Sequence, residues 1–368
     1  MNTPMRKALL VFLASAALGV LVLLLLVHKV ISYPYTTTGS AQGTVDLEIP
    51  KGANARQVSE LLAAAGLVDS PTYFRLYAYQ RGATSRFKAG HYHIPAPTTP
   101  RKLVDMMIQG AADELVTVTV PEGKNVLEVI DILDAASIAS KADLLAQALD
   151  PAFARSLDLP GLEGYLFPDT YRLRPHTPAA RVLVSLVRRH RQVFQELSAA
   201  HASGLATLKN KLGFDDARVV TLASIVEKET GQPQERPRIA QVFINRLSKP
   251  SFQPKFLQTD PTIIYGCTAA PHFSGKISAA CTKWDGRIHR IHLDDRDNPY
   301  NTYTHEGLPP GPIANPGRAA LAAVMHPDGS PYLYFVSKND GTHHFSTTLA
   351  EHEAAVVKYQ RGGKPLVK

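Results

Sequence analysis

The segment from Val219 to Thr230 ends in two carboxylates, which can serve as acids or bases in catalysis. Apolar residues before them recur at positions 219, 222, 223 and 226, a spacing typical of the buried face of a helix. On such a helix Glu227 lies beside Ala223 at one edge of this face, and Glu229 lies near Ile225 at the other. A carboxyl group against aliphatic neighbours keeps its proton to higher pH, because burial penalises the anion, and a general acid needs that property. Two solvated glutamates at a helix end give the same pattern, so the segment alone leaves both interpretations open.

Metal-dependent and serine-based chemistry are poorly supported by the sequence. His305-Glu306 lacks the second histidine of the H-E-x-x-H motif, because position 309 is proline. No G-x-S-x-G motif is present, and Ser224 has no identifiable partner. Other candidate ligands match no strong zinc signature; they are His289, His292, Asp294, His343 and His344. We therefore predict no metal site and no cofactor.

The net charge of +8 permits binding to nucleic acid, anionic lipid or an acidic polymer. The sequence contains no P-loop, no zinc-ribbon cysteine pairs and no aromatic-basic RNA-binding block, so we predict no nucleic-acid partner. An acidic polymer is compatible with the charge.

An uncharged apolar run from Ala8 to Val27 is long enough to cross about 30 Å of hydrocarbon. Arg6 and Lys7 precede the run, which favours a cytoplasmic N-terminus by the positive-inside rule. A cleaved signal peptide is the alternative, but the run exceeds the usual length of such a peptide's apolar region, and no convincing small-residue cleavage site follows it. We therefore expect a single-pass anchor in the inner (cytoplasmic) membrane, with the bulk of the chain periplasmic.

The chain has two cysteines, Cys267 and Cys281. Outside the cytosol an oxidising environment would allow them to bond, whereas two buried free thiols are the alternative. We favour the disulfide, although the sequence does not reveal the distance between the two residues.

Residues 45–52 and 116–123 form an internal repeat, because each alternates toward a Pro-x-Gly turn as a half-buried strand would. A helix with residues at capping-box spacing follows each copy, at Asn54 with Gln57 and at Asn125 with Glu128. A third, weaker copy is predicted for residues 91–108. Further along, the pattern predicts helices at 181–197 and 236–247, a strand at 332–337 and a closing hairpin.

Five blocks in fixed order resemble the YceG-like family of endolytic murein transglycosylases. They are EGYLFPDTY (163–171), LASIVEKET (222–230), LQTDPTIIYG (257–266), YNTY (300–303) and GLPPGPIANPG (307–317). The resemblance covers about residues 45–360. It implies that the catalytic acid is the first glutamate of IVEKE, which is Glu227 here. On the same basis, the candidates for positioning the sugars are Gln258, Asp260, Asn301 and Tyr303.

The resemblance implies an enzyme that cleaves the MurNAc-GlcNAc β-1,4 bond within nascent glycan strands and leaves 1,6-anhydroMurNAc ends. The expected partners are peptidoglycan strands, the inner membrane and, among proteins, penicillin-binding proteins and other cell-wall synthesis proteins. Two alternatives stay open. A two-carboxylate muramidase would use Glu229, Asp260 or Asp169 beside Glu227, and a catalytically weak scaffold would bind glycan without cutting it.

The expected fold class is α+β with three parts. These are a cytoplasmic tip and transmembrane helix at 1–32, a small LysM-like α/β subdomain at 33–115, and a larger mixed α+β catalytic domain at 116–368. The LysM-like subdomain is implied by the family, and it would either hold glycan or act as a spacer. The aromatic turn formed by Tyr165, Phe167 and Tyr171 would line a sugar cleft or pack in the core.

Overall fold

The computed structural model describes residues 3–110 and 115–362. The chain forms two compact units, which we call the N-terminal unit (Met1–Asp113) and the C-terminal unit (Glu114–Lys368). Helices and short two-stranded antiparallel sheets occur in both units, so the protein is a mixed α+β protein.

The N-terminal unit begins with the long helix α1 (Thr3–Ser32), and a short 3-10 turn follows at Tyr33–Tyr35. Within the described residues, Ser15–Tyr35 is the one stretch that is long and apolar enough to cross a membrane. Its length and composition suit an anchor or a signal sequence.

The remainder of the N-terminal unit is a small sheet covered by helices. Strands β1 and β2 pair antiparallel from Gly43 opposite Ala96 to Ile49 opposite Gly90. A core that includes Leu62, Phe74 and Met107 holds the helices against the sheet. In chain order the elements are β1 (Gly43–Ile49), α2 (Ala55–Ala64), α3 (Pro71–Gln80), β2 (Gly90–Ala96) and α4 (Pro100–Gln109).

The C-terminal unit opens with the second copy of the repeat, in which three helices separate the two strands. It consists of β3 (Val116–Thr119), α5 (Val126–Ala135), α6 (Lys141–Ala148), α7 (Pro151–Ser156) and β4 (Thr170–Leu173). β3 pairs antiparallel with β4, and the predicted capping boxes at Asn54 and Asn125 both form. The predicted third copy also has its strand and its helix, β2 and α4, and β2 pairs antiparallel with β1 of the first copy.

The rest of the C-terminal unit is mainly helical and contains the predicted hairpin, in which β5 pairs with β6, before the last helix. The helices predicted at 181–197 and 236–247 correspond to α8 and α11. The elements are α8 (Ala179–Ala200), α9 (Ala202–Leu212), α10 (Asp216–Glu229), α11 (Arg236–Ser248), α12 (Asp260–Thr268), α13 (Ala270–Ser274), α14 (Arg290–Leu293), α15 (Arg318–Met325), β5 (Tyr334–Ser337), β6 (His343–Ser346) and α16 (Leu349–Gln360).

The two cysteines form a disulfide that closes a loop beside α12. Their side chains belong to a small cluster, separate from the main core, that contains Ile263 and is packed by Trp284 and Tyr303. The disulfide therefore fastens a segment that carries little apolar core of its own.

We predict that replacing both cysteines by alanine lowers the stability of the C-terminal unit. The sequence separation is 14 residues, and closing a loop of that size contributes about 3 kcal/mol through the entropy of the unfolded chain. Urea unfolding of the full-length protein, followed by circular dichroism, measures the loss. A reductant should destabilise the parent protein and leave the double variant unchanged; an equal effect on both would contradict the prediction.

Candidate active site

Helix α10 is the central helix of the C-terminal unit. Asp215 caps its first turn by accepting a hydrogen bond from the backbone N–H of Arg218. Every residue from Val219 to Glu227 is buried, so the helix is enclosed on all sides, whereas the sequence pattern indicated one apolar face. α11, α12 and α15 pack around it. A polar residue is tolerated there because Ser224 donates to a helix carbonyl and accepts from the backbone N–H of Ile313.

Glu227 lies at the buried end of this helix, and its side chain is 4% exposed. One carboxylate oxygen accepts a hydrogen bond from the Arg236 guanidinium at 2.7 Å, and the other accepts from the backbone N–H of Gly317 at 2.9 Å. The same Arg236 nitrogen lies 3.4 Å from a carboxylate oxygen of Glu122, which is about half exposed. Arg236 is therefore shared between a buried carboxylate and one that reaches solvent.

Opposing influences act on the protonation of Glu227. Burial raises its pKa, and the nearby Glu122 carboxylate acts in the same direction. The Gly317 amide and the Arg236 charge lower it, and the net result is a pKa above the ordinary value. The site therefore stabilises the protonated form more than water does, and a hydrogen-bond donor faces each of the two carboxyl oxygens.

Two glycines let the backbone approach Glu227 closely. Gly123 has φ +75° and would place a Cβ 3.5 Å from the Cγ of Glu227, and a Cβ on Gly317 would lie 1.9 Å from Glu122. Asn315 fixes the two segments together, because its backbone and side-chain N–H groups both donate to the Lys124 carbonyl at 2.8 Å. The loop 307–317 and the turn 121–124 thus form a wall around the carboxyl group.

The predicted sugar-positioning residues form a second cluster. The Tyr303 hydroxyl donates to Asp260 at 2.6 Å, and the backbone N–H of Gln258 donates to the Thr302 carbonyl. Gln258 and Asp260 are exposed, whereas Asn301 is fully buried. The Asn301 amide donates to three backbone carbonyls, those of His292, Leu293 and Asp295. Since these contacts use its amide group, Asn301 is placed to hold the loop instead of meeting a ligand.

Glu229 connects α10 to this second cluster. Burial of its carboxyl group raises its pKa to about 7, and the charges close to it are those of Asp260, His343 and Arg246. One of its oxygens has no hydrogen-bond partner among the described residues. Glu227 and Glu229 therefore face different neighbours, as their positions on the helix indicated.

Glu163, the first residue of the EGYLFPDTY block, is buried in the core. Its carboxyl group accepts from the backbone N–H of Val126 and from the Tyr265 hydroxyl. Tyr165 and Phe167 are also buried, at 6% and 4% exposure. Of the two interpretations of this aromatic turn, core packing is the one that these positions support.

Sequence reasoning missed three residues that surround Glu227, namely Glu122, Arg236 and Gly317. In the sequence Glu122 lies in a repeat turn, Arg236 at the start of a predicted helix and Gly317 at the end of a family block. Nothing in the local pattern connects these three residues. Among residues 3–110 and 115–362, no group of three His, Cys, Asp or Glu side chains is arranged to hold a metal ion.

Comparison with known proteins places this arrangement in context. The sequence profile of the YceG-like family matches residues 47–358. An endolytic murein transglycosylase of Bacillus subtilis is 31% identical over 334 residues, which are 86% of this chain and 85% of that protein. An endolytic murein transglycosylase of Streptococcus pneumoniae is 29% identical over 348 residues, and the match spans 58% of its length.

A solved structure is also similar to most of this chain. The crystal structure of a yceG-like protein from Listeria monocytogenes superimposes with a TM-score of 0.52 at 28% sequence identity. The match covers 86% of this chain and 100% of that one.

We predict that Glu163→Gln makes stability less dependent on pH. Burial raises the pKa of Glu163 to about 8, so the favourable contribution of the protonated group is complete below the ordinary pKa of about 4.5 and is lost as pH rises through about 8. Over that range the parent protein should lose roughly 3–5 kcal/mol relative to the variant. Urea unfolding at a series of pH values measures the difference.

Glutamine keeps the same shape and can still accept from the Val126 N–H, which makes it a suitable replacement. Glu353→Gln, on the exposed face of α16, is the matched control and should follow the parent protein. Parallel pH curves for Glu163→Gln and the parent would rule out a raised pKa at this position.

Proposed function

This chain belongs to the YceG-like family, and we propose that Glu227 supplies both the acid and the base of its reaction. The chain is an endolytic murein transglycosylase, an enzyme that cleaves the glycan strands of peptidoglycan. The observation that carries the assignment of Glu227 is its environment: a buried carboxyl group with a raised pKa that is also in contact with Arg236 and the Gly317 amide.

In the first step Glu227 donates its proton to the oxygen that links C1 of MurNAc to GlcNAc. The C1–O bond breaks with its electron pair going to that oxygen, and positive charge develops at C1. The carboxylate left behind is stabilised by Arg236 and the Gly317 N–H, two donors that are already in place and need no reorganisation.

In the second step the same carboxylate accepts the proton of the C6 hydroxyl of that MurNAc. The C6 oxygen forms a bond to C1, which gives the 1,6-anhydro ring and restores the acid form of Glu227. No water is consumed, and one residue acts as acid and then as base. A pKa raised by burial keeps the proton available for the first role and makes the carboxylate a stronger base for the second, whereas the Arg236 contact stabilises the carboxylate between the two steps.

The sugars are held by polar loops beside α10 in this proposal. Gln258 and Asp260 are exposed on one loop and Tyr303 is bonded to Asp260, so these three residues are the candidates for direct contact. Asn301 supports them from inside the fold through its three backbone contacts. Hydrogen-bonding groups that are fixed before binding lose less entropy when a glycan arrives.

A muramidase would need a second carboxylate near Glu227 to activate water. Of the residues considered for this role, Asp169 is paired with Arg189 at 2.7 Å, and Glu229 and Asp260 belong to the second cluster. Glu122 is the better candidate, because it shares Arg236 with Glu227 and is half exposed. The ends produced by the enzyme distinguish the two reactions.

The N-terminal helix supports a placement at the inner membrane. We propose that α1 is an uncleaved anchor with a cytoplasmic N-terminus and that the chain after α1 is periplasmic. The β1–α2–α3–β2 order of the N-terminal unit, with antiparallel strands, supports a LysM-like glycan-holding role. The expected protein partners are penicillin-binding proteins and other cell-wall synthesis proteins, next to which glycan strands are made.

We predict that Glu227→Gln abolishes cleavage, because the amide has no proton of suitable acidity to donate. Full-length protein in detergent is incubated with sacculi, and mass spectrometry identifies the released ends. The parent should release anhydroMurNAc ends, one water lighter than reducing ends. Glu353→Gln, which changes an exposed carboxylate in the same way, should keep full activity, and a matched unfolding curve shows that Glu227→Gln is folded.

Each other outcome contradicts part of the proposal. Full activity in a folded Glu227→Gln protein would refute the role of this residue. Reducing ends would identify a hydrolase, whereas binding to sacculi without new ends from the parent protein would identify a scaffold.

We predict that Glu122→Gln shifts the activity profile to lower pH. The Glu122 carboxylate raises the pKa of Glu227, so removing its charge lowers that pKa and the acid form is lost earlier as pH rises. The initial rate is measured over a series of pH values with soluble uncross-linked strands at low substrate concentration. Under these conditions the alkaline limb of the pH profile reports the pKa values of the free enzyme. Glu353→Gln is again the control. An unchanged limb would exclude this electrostatic coupling.

A further inference from the structure

Helix α3 in the N-terminal unit has an exposed apolar and aromatic face. Tyr73, Leu76 and Tyr79 are 39%, 55% and 74% exposed. With 100° per residue they fall on one arc of the helix surface, while Phe74 and Ala78 on the other side are buried in the core. α3 contains no acidic residue. We call Tyr73, Leu76 and Tyr79 the α3 face.

The α3 face lies directly beside the C-terminal end of α1. The Tyr33 ring is 5.9 Å from the Tyr73 ring and 6.4 Å from the Tyr77 ring, and the Lys29 ammonium lies 5.1 Å from the centre of the Tyr73 ring. Residues of the two helices together line a small, mostly apolar pocket that includes Val30 and Leu76. The position of α3 is therefore tied to the last two turns of α1 and to the turn that follows.

The position of these contacts along α1 indicates that the interfacial layer of a bilayer covers the α3 face. The uncharged run ends at Val27, so Lys29 and Tyr33 lie about 3 and 9 Å beyond it at 1.5 Å per residue. A bilayer has about 30 Å of hydrocarbon and about 40–45 Å in total, which leaves an interfacial layer of roughly 5–7 Å on each side. The contact of Lys29 with Tyr73 therefore falls within this layer, where tyrosine and lysine side chains concentrate, and the contacts of Tyr33 lie just beyond its outer boundary.

We propose that the α3 face is a membrane-docking surface that inserts into the interfacial layer of the bilayer crossed by α1. Its tyrosines have an apolar ring and a polar hydroxyl, which suits a layer that is apolar on one side and wet on the other. Leu76 enters furthest toward the acyl chains, and the cations Lys29 and Arg75 meet lipid phosphates. Docking holds the N-terminal unit against the membrane at two points instead of one. The inference rests on the proposed anchor and is independent of the cleavage reaction.

The test uses tryptophan fluorescence in the full-length protein, reconstituted in nanodiscs whose phosphatidylcholine is brominated near the top of the acyl chain. The chain has one tryptophan, Trp284, so a Trp284→Phe background makes each introduced tryptophan the only emitter. Tyr79→Trp reports on the α3 face. Arg56→Trp, at an exposed position on α2, is the matched control, and Leu21→Trp within α1 reports on the anchor.

Bromine should remove roughly half or more of the emission of both Tyr79→Trp and Leu21→Trp, since both positions lie in or beside lipid. The emission of Arg56→Trp should stay nearly unchanged. Adding Leu76→Glu to Tyr79→Trp should bring its quenching close to that of Arg56→Trp, because a charge in this layer opposes insertion.

Equal, weak quenching of Tyr79→Trp and Arg56→Trp would overturn the proposal. If Leu21→Trp is strongly quenched in that case, α1 is in the bilayer and the face is covered by something other than lipid. If Leu21→Trp is not quenched, the anchor itself is refuted. Cleavage of sacculi does not enter any of these readings, so failure here is distinct from failure of the proposed reaction.

Discussion

The burial of one carboxyl group at the end of α10 is the constraint on which the rest of the C-terminal unit depends. An isolated buried carboxylate would be costly, and the fold limits that cost with the Arg236 guanidinium and the Gly317 amide. Arg236 is itself buried, at 8% side-chain exposure. Each group therefore requires the other, and the loops that deliver them must be held at fixed positions.

Asn315 and Ser224 hold those loops, and neither contacts the carboxyl group of Glu227. Asn315 accepts the Leu166 N–H and donates to the Lys124 carbonyl, so it joins three segments that are far apart in the chain. Ser224 accepts the Ile313 N–H from within α10. These bonds satisfy backbone groups that would otherwise be buried without partners. The same bonds hold the wall around Glu227 in place. Stability and site geometry thus have a common source.

The division of α10 between two clusters gives the two glutamates different tasks. Glu227 contacts Arg236 and the wall formed by the loop 307–317 and the turn 121–124. In this group the half-exposed side chain of Glu122 is the part that reaches solvent. Glu229 lies close to Asp260, and burial of its carboxyl group raises its pKa to about 7. A helix with 3.6 residues per turn separates residues two apart onto opposite flanks. One short helix can therefore position Glu227 on one flank and Glu229, next to the cluster that contains Asp260, on the other.

The five blocks point to Glu227 through their resemblance to the family. The sequence by itself also determined the helices at 181–197 and 236–247 and the capping boxes at Asn54 and Asn125. Those features depend on residues close together in the chain, where periodicity and local hydrogen bonds decide the conformation. Only the tertiary structure decided that β2 closes the first repeat, that Asn301 is buried, and that Glu122 and Arg236 share a contact beside Glu227. Glu122 and Arg236, for example, are separated by 114 residues in the chain. No local pattern specifies which distant segments will meet.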